Sequence, residues 1–323
     1  MISKLSLGLL VLSMLTLLLH AQDKSENATV VKEVKIIPIQ PVDQARVKII
    51  AAMLPEKPRG IGQPYSDRTS WNALLKSGKF DKLIADADIA NAEPLPPMTD
   101  EIYLSFFNSN DSETSKRLTV KRRILFSTMV WAECLLNNGK YISSIELAIK
   151  DFLSLKSWNF PAEDRKKLNF EGRQYTINLS SADYAIELAN AAYLLGDKLK
   201  PATHQQIKDA LYLRVFNPAL QAIKTNNSSD EFTSLTSTGN HNAATLSGVT
   251  GAALAAIESK EERAVFVAIA ERYSKNSIIG FLDDGYCTEG WVILITVCVI
   301  SACYVRISSR LQVAGLIYLL IPN

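Results

Sequence analysis

The sequence predicts an all-α protein, and three observations carry that expectation. Apolar residues recur at three- and four-residue spacing along most of the chain. Capping residues and Gly or Pro breakers punctuate those stretches. No convincing strand alternation occurs before residue 280. Antiparallel helix pairs joined by short polar turns make a bundle, a solenoid or an α/α toroid, and periodicity does not choose among the three.

Residues 1–21 read as a secretory signal peptide: Lys4 supplies the positive start, Leu5 to Leu19 the apolar run, and Ala21 a small residue before the cut. An anchor would need about 20 apolar residues and a flank that holds it. The expected location is therefore periplasmic or secreted. Residues 22–50 form a polar lead-in with Pro38 and Pro41, read as extended.

The helical pattern is placed at residues 51–290. Ser70 reads as the N-cap of a helix through Trp71 and Leu75, and Phe80, Leu83, Ile84 and Ala87 continue the spacing. Glu93 to Asp100 is a Pro-rich connector. Lys121 to Asn137 and Tyr141 to Leu155 each carry a wide apolar face, and Trp158-Asn-Phe-Pro161 stops the second. Ser181 reads as the cap of a helix from Ala182 to Leu195, ended by Gly196. Thr203-His-Gln-Gln206 and Ser259-Lys-Glu-Glu262 both have capping-box spacing, ahead of Ile207 to Val215 and Arg263 to Tyr273.

Charge and composition exclude several functions. The 35 basic and 33 acidic residues leave a net charge of +2, too balanced for a nucleic-acid partner. Cys134, Cys287, Cys298 and Cys303 match no zinc spacing, and Cys134 reads as a core thiol. There is no phosphate loop, paired metal-ligating His or Gly-x-Ser-x-Gly elbow, so neither a metal nor a cofactor is expected.

Only three His occur, and His241 stands out. Gly239-Asn240-His241-Asn242 opens an Ala/Gly/Leu run, which puts an amide and an imidazole beside free helix N–H groups. A capped helix with an exposed His is the plain alternative. Trp71, Trp131 and Trp158 could stack on sugars, but each fits a core role better.

Composition changes abruptly at Trp291. The apolar run to Val305 is about 15 residues, short of the roughly 20 a span needs, and Arg306 and Arg310 follow. Grouping the codons one base earlier from Trp291 permits Val-Gly-Tyr, then Asn-Tyr-Gly at Ile295 to Val297. At Leu311 to Leu319 it permits Ala-Thr-Gly-Gly-Arg-Ile-Asp-Leu-Phe. Residues 291–323 are therefore expected to be a frameshifted tail, with a membrane role only if that tail is a genuine anchor.

The succession from Pro55 to Gly290 resembles the N-terminal helical domain of the heparinase II/III-like polysaccharide lyases and related alginate lyases. The resemblance rests on Pro58-Arg59 before Trp71-x-x-Leu74, on Trp158-Asn-Phe-Pro161, and on Leu179-Ser-Ser-Ala182 ahead of Tyr193-Leu-Leu-Gly196. Gly239-Asn-His241 before Ala252-Ala-Leu254, Asp284-Gly-Tyr286 and Glu289-Gly290 complete it. It implies an α/α toroid, here an incomplete barrel of antiparallel helix pairs without the family's β-sandwich domains. It also implies β-elimination on uronic-acid glycans, an acidic polysaccharide as partner, Asn240 and His241 as catalytic groups, and Tyr286 and Glu289 as substrate-binding groups. The Tyr such enzymes use falls in the tail, where the alternative frame permits one at Thr296, and a further His belongs to the β-sandwich. The 323-residue chain is accordingly expected to be inactive by itself. A non-catalytic glycan-binding protein and a membrane-tethered helical protein are the rival expectations.

Overall fold

The structure is a computed structural model that describes residues 35–225 and 232–279. The leader, the tail, Tyr286, Glu289 and the three later Cys lie outside the described residues. Among the described residues every regular element is a helix and no strand occurs. No helix there is long and apolar enough to cross a membrane.

Several boundaries differ from the sequence reading, for a common reason. A helix α1 (Gln44–Met53) begins inside the stretch expected to be extended, because the Asp43 carboxylate accepts from Ala45 and Arg46 N–H. In α2 (Arg68–Lys76) the cap is Asp67 rather than Ser70, whose N–H and hydroxyl both donate to the Asp67 carboxylate. Helices α3 (Asp81–Ala92) and α4 (Asp100–Ser109) follow, separated by the Pro-rich connector. The long α5 (Glu113–Leu136) starts eight residues before Lys121, and α6 (Ile142–Ser154) returns beside it.

In α7 (Leu179–Leu195) the cap is Asn178; Ser181 supplies the other half of a capping box three residues on. No box forms at Thr203. Helix α8 (Pro201–Leu211) opens on Pro201, and the Thr203 hydroxyl donates to Glu146 at 2.6 Å instead. A π turn, Tyr212–Phe216, joins α8 to α9 (Asn217–Thr225), so the chain stays helical past Pro218. Helix α10 (Asn240–Ala256) and α11 (Lys260–Tyr273) form the next pair, and the short α12 (Lys275–Ile279) follows. At Ser259 one half of the expected box forms: its oxygen accepts from Glu262 N–H, while the Glu262 carboxylate accepts from Tyr212.

Contacts between helices fix their directions. Arg123, near the middle of α5, meets Asp183 and Glu187 of α7, and Glu133 meets Lys198 near the ends of both, so these two run parallel. Gly248 lies against Ala182 and Gly251 against Ile186, which makes α10 parallel to α7. A Cβ on Gly248 would sit 2.7 Å from the Ala182 carbonyl oxygen; only glycine lets the two backbones approach so closely. The flanking helices run the other way. Phe126 packs edge-on against Phe152, and the Glu133 carboxylate accepts from Tyr141 N–H, which sets α6 antiparallel to α5. Contacts from Tyr212 to Glu262 and from Phe216 to Phe266 align the α8–α9 run with α11.

Buried Leu, Ala and aromatic side chains fill the space between the two sets of helices. Cys134 is fully buried there, and burial, with the Glu133 charge adding to it, pushes its thiol up to about 12. The expected core thiol is what the structure shows.

One segment closes the C-terminal end of the central layer. Arg59 N–H donates to Leu254 O of α10 at 2.8 Å, and Tyr65 N–H to Leu194 O of α7 at 2.7 Å. The Arg68 guanidinium donates to Cys134 O and Leu135 O of α5 at 2.6 and 2.8 Å. Carbonyls that a helix end leaves without an intrahelical donor are thus answered by residues 59–68.

Candidate functional site

The N-terminal ends of α5, α7 and α10 point the same way, opposite the strap that residues 59–68 form. Each helix start carries a partial positive charge, and aligned starts add. Helix α10 begins as the sequence predicted, with Gly239 as its cap. Asn240 is half-buried and His241 is exposed, so the imidazole is not a core group.

What holds that first turn is Asn242, which is fully buried. Its amide donates to Ser234 O at 2.9 Å and Leu235 O at 3.1 Å. The Thr245 hydroxyl lies 2.5 Å from His241 O and 2.7 Å from the Ser234 hydroxyl. Asn276 donates to Leu235 O from α12 and accepts from Ile37 N–H. Sequence reasoning missed this group, although Asn242 stood within the cluster already singled out. A polar residue two places into an apolar helix was the available signal.

A second group of polar side chains surrounds the start of α7. The Arg123 guanidinium bonds Asp183 and Glu187, each at 2.8 Å. Burial opposes its charge, but Glu187 and Asp183 outweigh that and hold its pKa above the ordinary value. Burial raises Asp183 and Glu187 in turn, against the pull of Arg123. Glu163, on a short turn (Pro161–Glu163) of the preceding loop, is pushed up to about 7. Burial is the main cause there and the Asp183 charge adds to it; a backbone hydrogen bond at Phe160 and the Lys116 charge oppose it.

That loop is itself rigidly held. Asp164 is buried and accepts from the Tyr103 hydroxyl at 2.9 Å, Phe170 N–H at 2.9 Å and Asn169 N–H at 3.1 Å. Trp158 stacks on Tyr184, and its indole N–H donates to Phe152 O.

The structure does not join the two groups. With Gly248 level with Ala182, α10 starts about 8 Å beyond the first turn of α7. Asn240 and His241 therefore project past Arg123 and Asp183. A cavity of about 500 Å³ lies at the strapped end, lined by Gln63, Trp71, Leu74, Phe80, Leu83 and Trp131 among others, and neither Asn240 nor His241 takes part in it. Trp71 is buried, with its indole N–H shared between Gln63 O and Pro64 O, so Trp71 and Trp158 are core residues. Among the described residues no group of three or more His, Cys, Asp or Glu could hold a metal ion.

No family model matches the sequence, and no curated protein matches it.

Proposed function

We propose that this chain is the helical portion of an exported polysaccharide lyase of the heparinase II/III-like type, acting on uronic-acid glycans by β-elimination. The antiparallel helix hairpins, with all central helices parallel, are what an α/α toroid repeats. The observation that carries the reading is the position of Asn240 and exposed His241 in the first turn of α10, at the end where three helix N-termini align.

The chemistry uses that position. The C5 proton of a uronate is barely acidic while the neighbouring carboxylate keeps its charge. An amide from Asn240 and a donor from His241, backed by helix N–H groups, would offset that charge as the enolate forms. His241 can also accept the proton. Arg123 is already engaged by Asp183 and Glu187 and takes no part in holding substrate. The remaining Tyr and His of the set implied by the resemblance are not residues of this sequence: position 296 is Thr, and the other His are His20 and His204. The reading thus assigns this chain the charge-neutralising half of the catalytic set, with no cofactor and no turnover by the chain alone.

Retention of the purified chain on immobilised heparan sulfate and alginate, against a neutral glucan, tests this. Preferential retention on the uronate polymers is expected, weakened in the Asn240→Ala/His241→Ala double variant. An unsaturated uronate product, followed by its ultraviolet absorbance, is expected only after extension in the alternative frame. Equal retention on the neutral glucan, or an unaffected double variant, overturns the reading.

A further inference from the structure

Helix α5 ends in a turn whose atoms are arranged for chemistry. Asn137 takes a left-handed conformation (φ 53°) and closes the helix onto Glu133 O. Asn138, Gly139 and Lys140 follow, all exposed. Gly139 has φ 78°, and nothing lies within 4 Å of where its side chain would be. Gly139 N–H donates to Glu133 Oε1 at 2.9 Å, and Lys140 N–H donates to Asn138 Oδ1 at 3.1 Å. Glu133 is wholly buried and held in place by Lys198 Nζ at 2.7 Å and Tyr141 N–H at 3.3 Å.

We propose that Asn138–Gly139 is a self-modifying site, at which Asn138 loses its amide and becomes an aspartyl or isoaspartyl residue. The step requires the Gly139 nitrogen to attack Asn138 Cγ. A peptide nitrogen is a poor nucleophile until its hydrogen is removed, and the Glu133 carboxylate already accepts that hydrogen. The Asn138 carbonyl oxygen gathers negative charge as the bond forms, and the Lys140 N–H already points at it. The new C–N bond closes a five-membered imide, the old C–N bond breaks, and the amide leaves as ammonia, taking the proton. Water from solvent opens the imide at either carbonyl. No oxidant, metal or second protein takes part.

The product carries a new carboxylate at the negative end of α5, where a helix disfavours it. Lys140, now paired with Asp88 at 2.6 Å, is the nearest partner in sequence. The turn would thus gain one negative charge with age. This inference stands apart from the proposed lyase function and shares none of its residues.

The test uses the full chain, incubated at mildly alkaline pH in buffer and in urea, with peptide mapping by mass spectrometry. Exchange of NH2 for OH at Asn138 is expected to accumulate faster in the folded chain than in the unfolded one. An isoaspartyl methyltransferase should label the same peptide. Glu133→Gln should slow conversion of the folded chain by about 100-fold, the low end of what a positioned base supplies. Conversion no faster in the folded chain than in urea overturns the proposal. So does a folded Glu133→Gln variant that converts as fast as the wild type. If that variant does not fold, the comparison of folded and unfolded wild type decides alone.

Discussion

At the C-terminal end of the central layer, one segment answers the carbonyls of three helices; at the N-terminal end, each helix is capped by residues next to it in sequence. Arg59, Tyr65 and Arg68 bind Leu254, Leu194 and the Cys134–Leu135 pair, partners roughly 65 to 195 residues away. At the other end Asp111 accepts from Glu113 and Thr114 N–H, Asn178 and Ser181 cap α7, and Asn242 secures the turn before α10. The difference separates two tasks. The strapped end couples the helices to one another, so a loss there is felt by all three. The locally capped end can vary one helix start at a time, and it is there that Asn240 and His241 stand.

The sharpest break of this comparison lies between the two ends. Gly248→Val should cost about 3 kcal/mol, because the added atoms meet the Ala182 backbone and cannot be relieved by a side-chain rotation. Urea unfolding checks it, and an unchanged midpoint would mean that α7 and α10 are not in such contact. Arg68→Ala should cost about 2 to 3 kcal/mol, since it strips charged donors from two helix-end carbonyls. Its retention on uronate glycans should stay unchanged once unfolding is corrected for. Asn242→Ala should show the reverse pattern. A loss of about 1 to 3 kcal/mol is expected from removal of the buried amide donations to Ser234 O and Leu235 O, together with a shift of the His241 ring signals in NMR.

Acidity probes the same end. Glu163 is raised from 4.5 to about 7, so the folded chain holds a proton there that the unfolded chain has released. Stability should therefore fall as pH rises from about 4.5 to about 7, by on the order of 1 to 2 kcal/mol after discounting partial exposure, and level off above. Glu163→Gln should remove that slope, raising stability at alkaline pH and leaving it nearly unchanged in acid; a parallel pH profile in the variant would discount the shift. Smallest is Ser259→Ala at the start of α11, near 1 kcal/mol, read as a shift in thermal midpoint.

What the sequence made legible was whatever acts within a turn or two. The apolar faces of α5, α6, α7 and α11, the stop at Gly196 and the cap at Ser259 all depend on near neighbours. Two caps were placed three residues late, at Ser70 and Ser181, because in both helices a hydroxyl at the third position joins the cap it resembles. The first two turns of α5 carry charged and small residues and lack the apolar rhythm by which a helix is read. Arg59 was seen as a motif residue and Arg68 was not singled out; the acceptors of both lie far along the chain, where no local pattern points. Of the candidate site, the helix start at Gly239 and the exposure of His241 follow from short-range signals. The support beneath it comes from Asn242 and Thr245, which reach back across one turn of chain to Ser234, and from Asn276, which lies far along the chain and folds over it.

The contact at Gly248 has a bearing on how this scaffold could be altered. Two helices that touch main chain to main chain act as a ruler, and the offset of about 8 Å between their starts is the length marked on it. Loops exchanged above α7 or α10 inherit that step whatever their own sequence. A graft intended to bring the α7 loop down to His241 must therefore be longer by roughly two extended residues, rather than rely on the helices sliding to meet it.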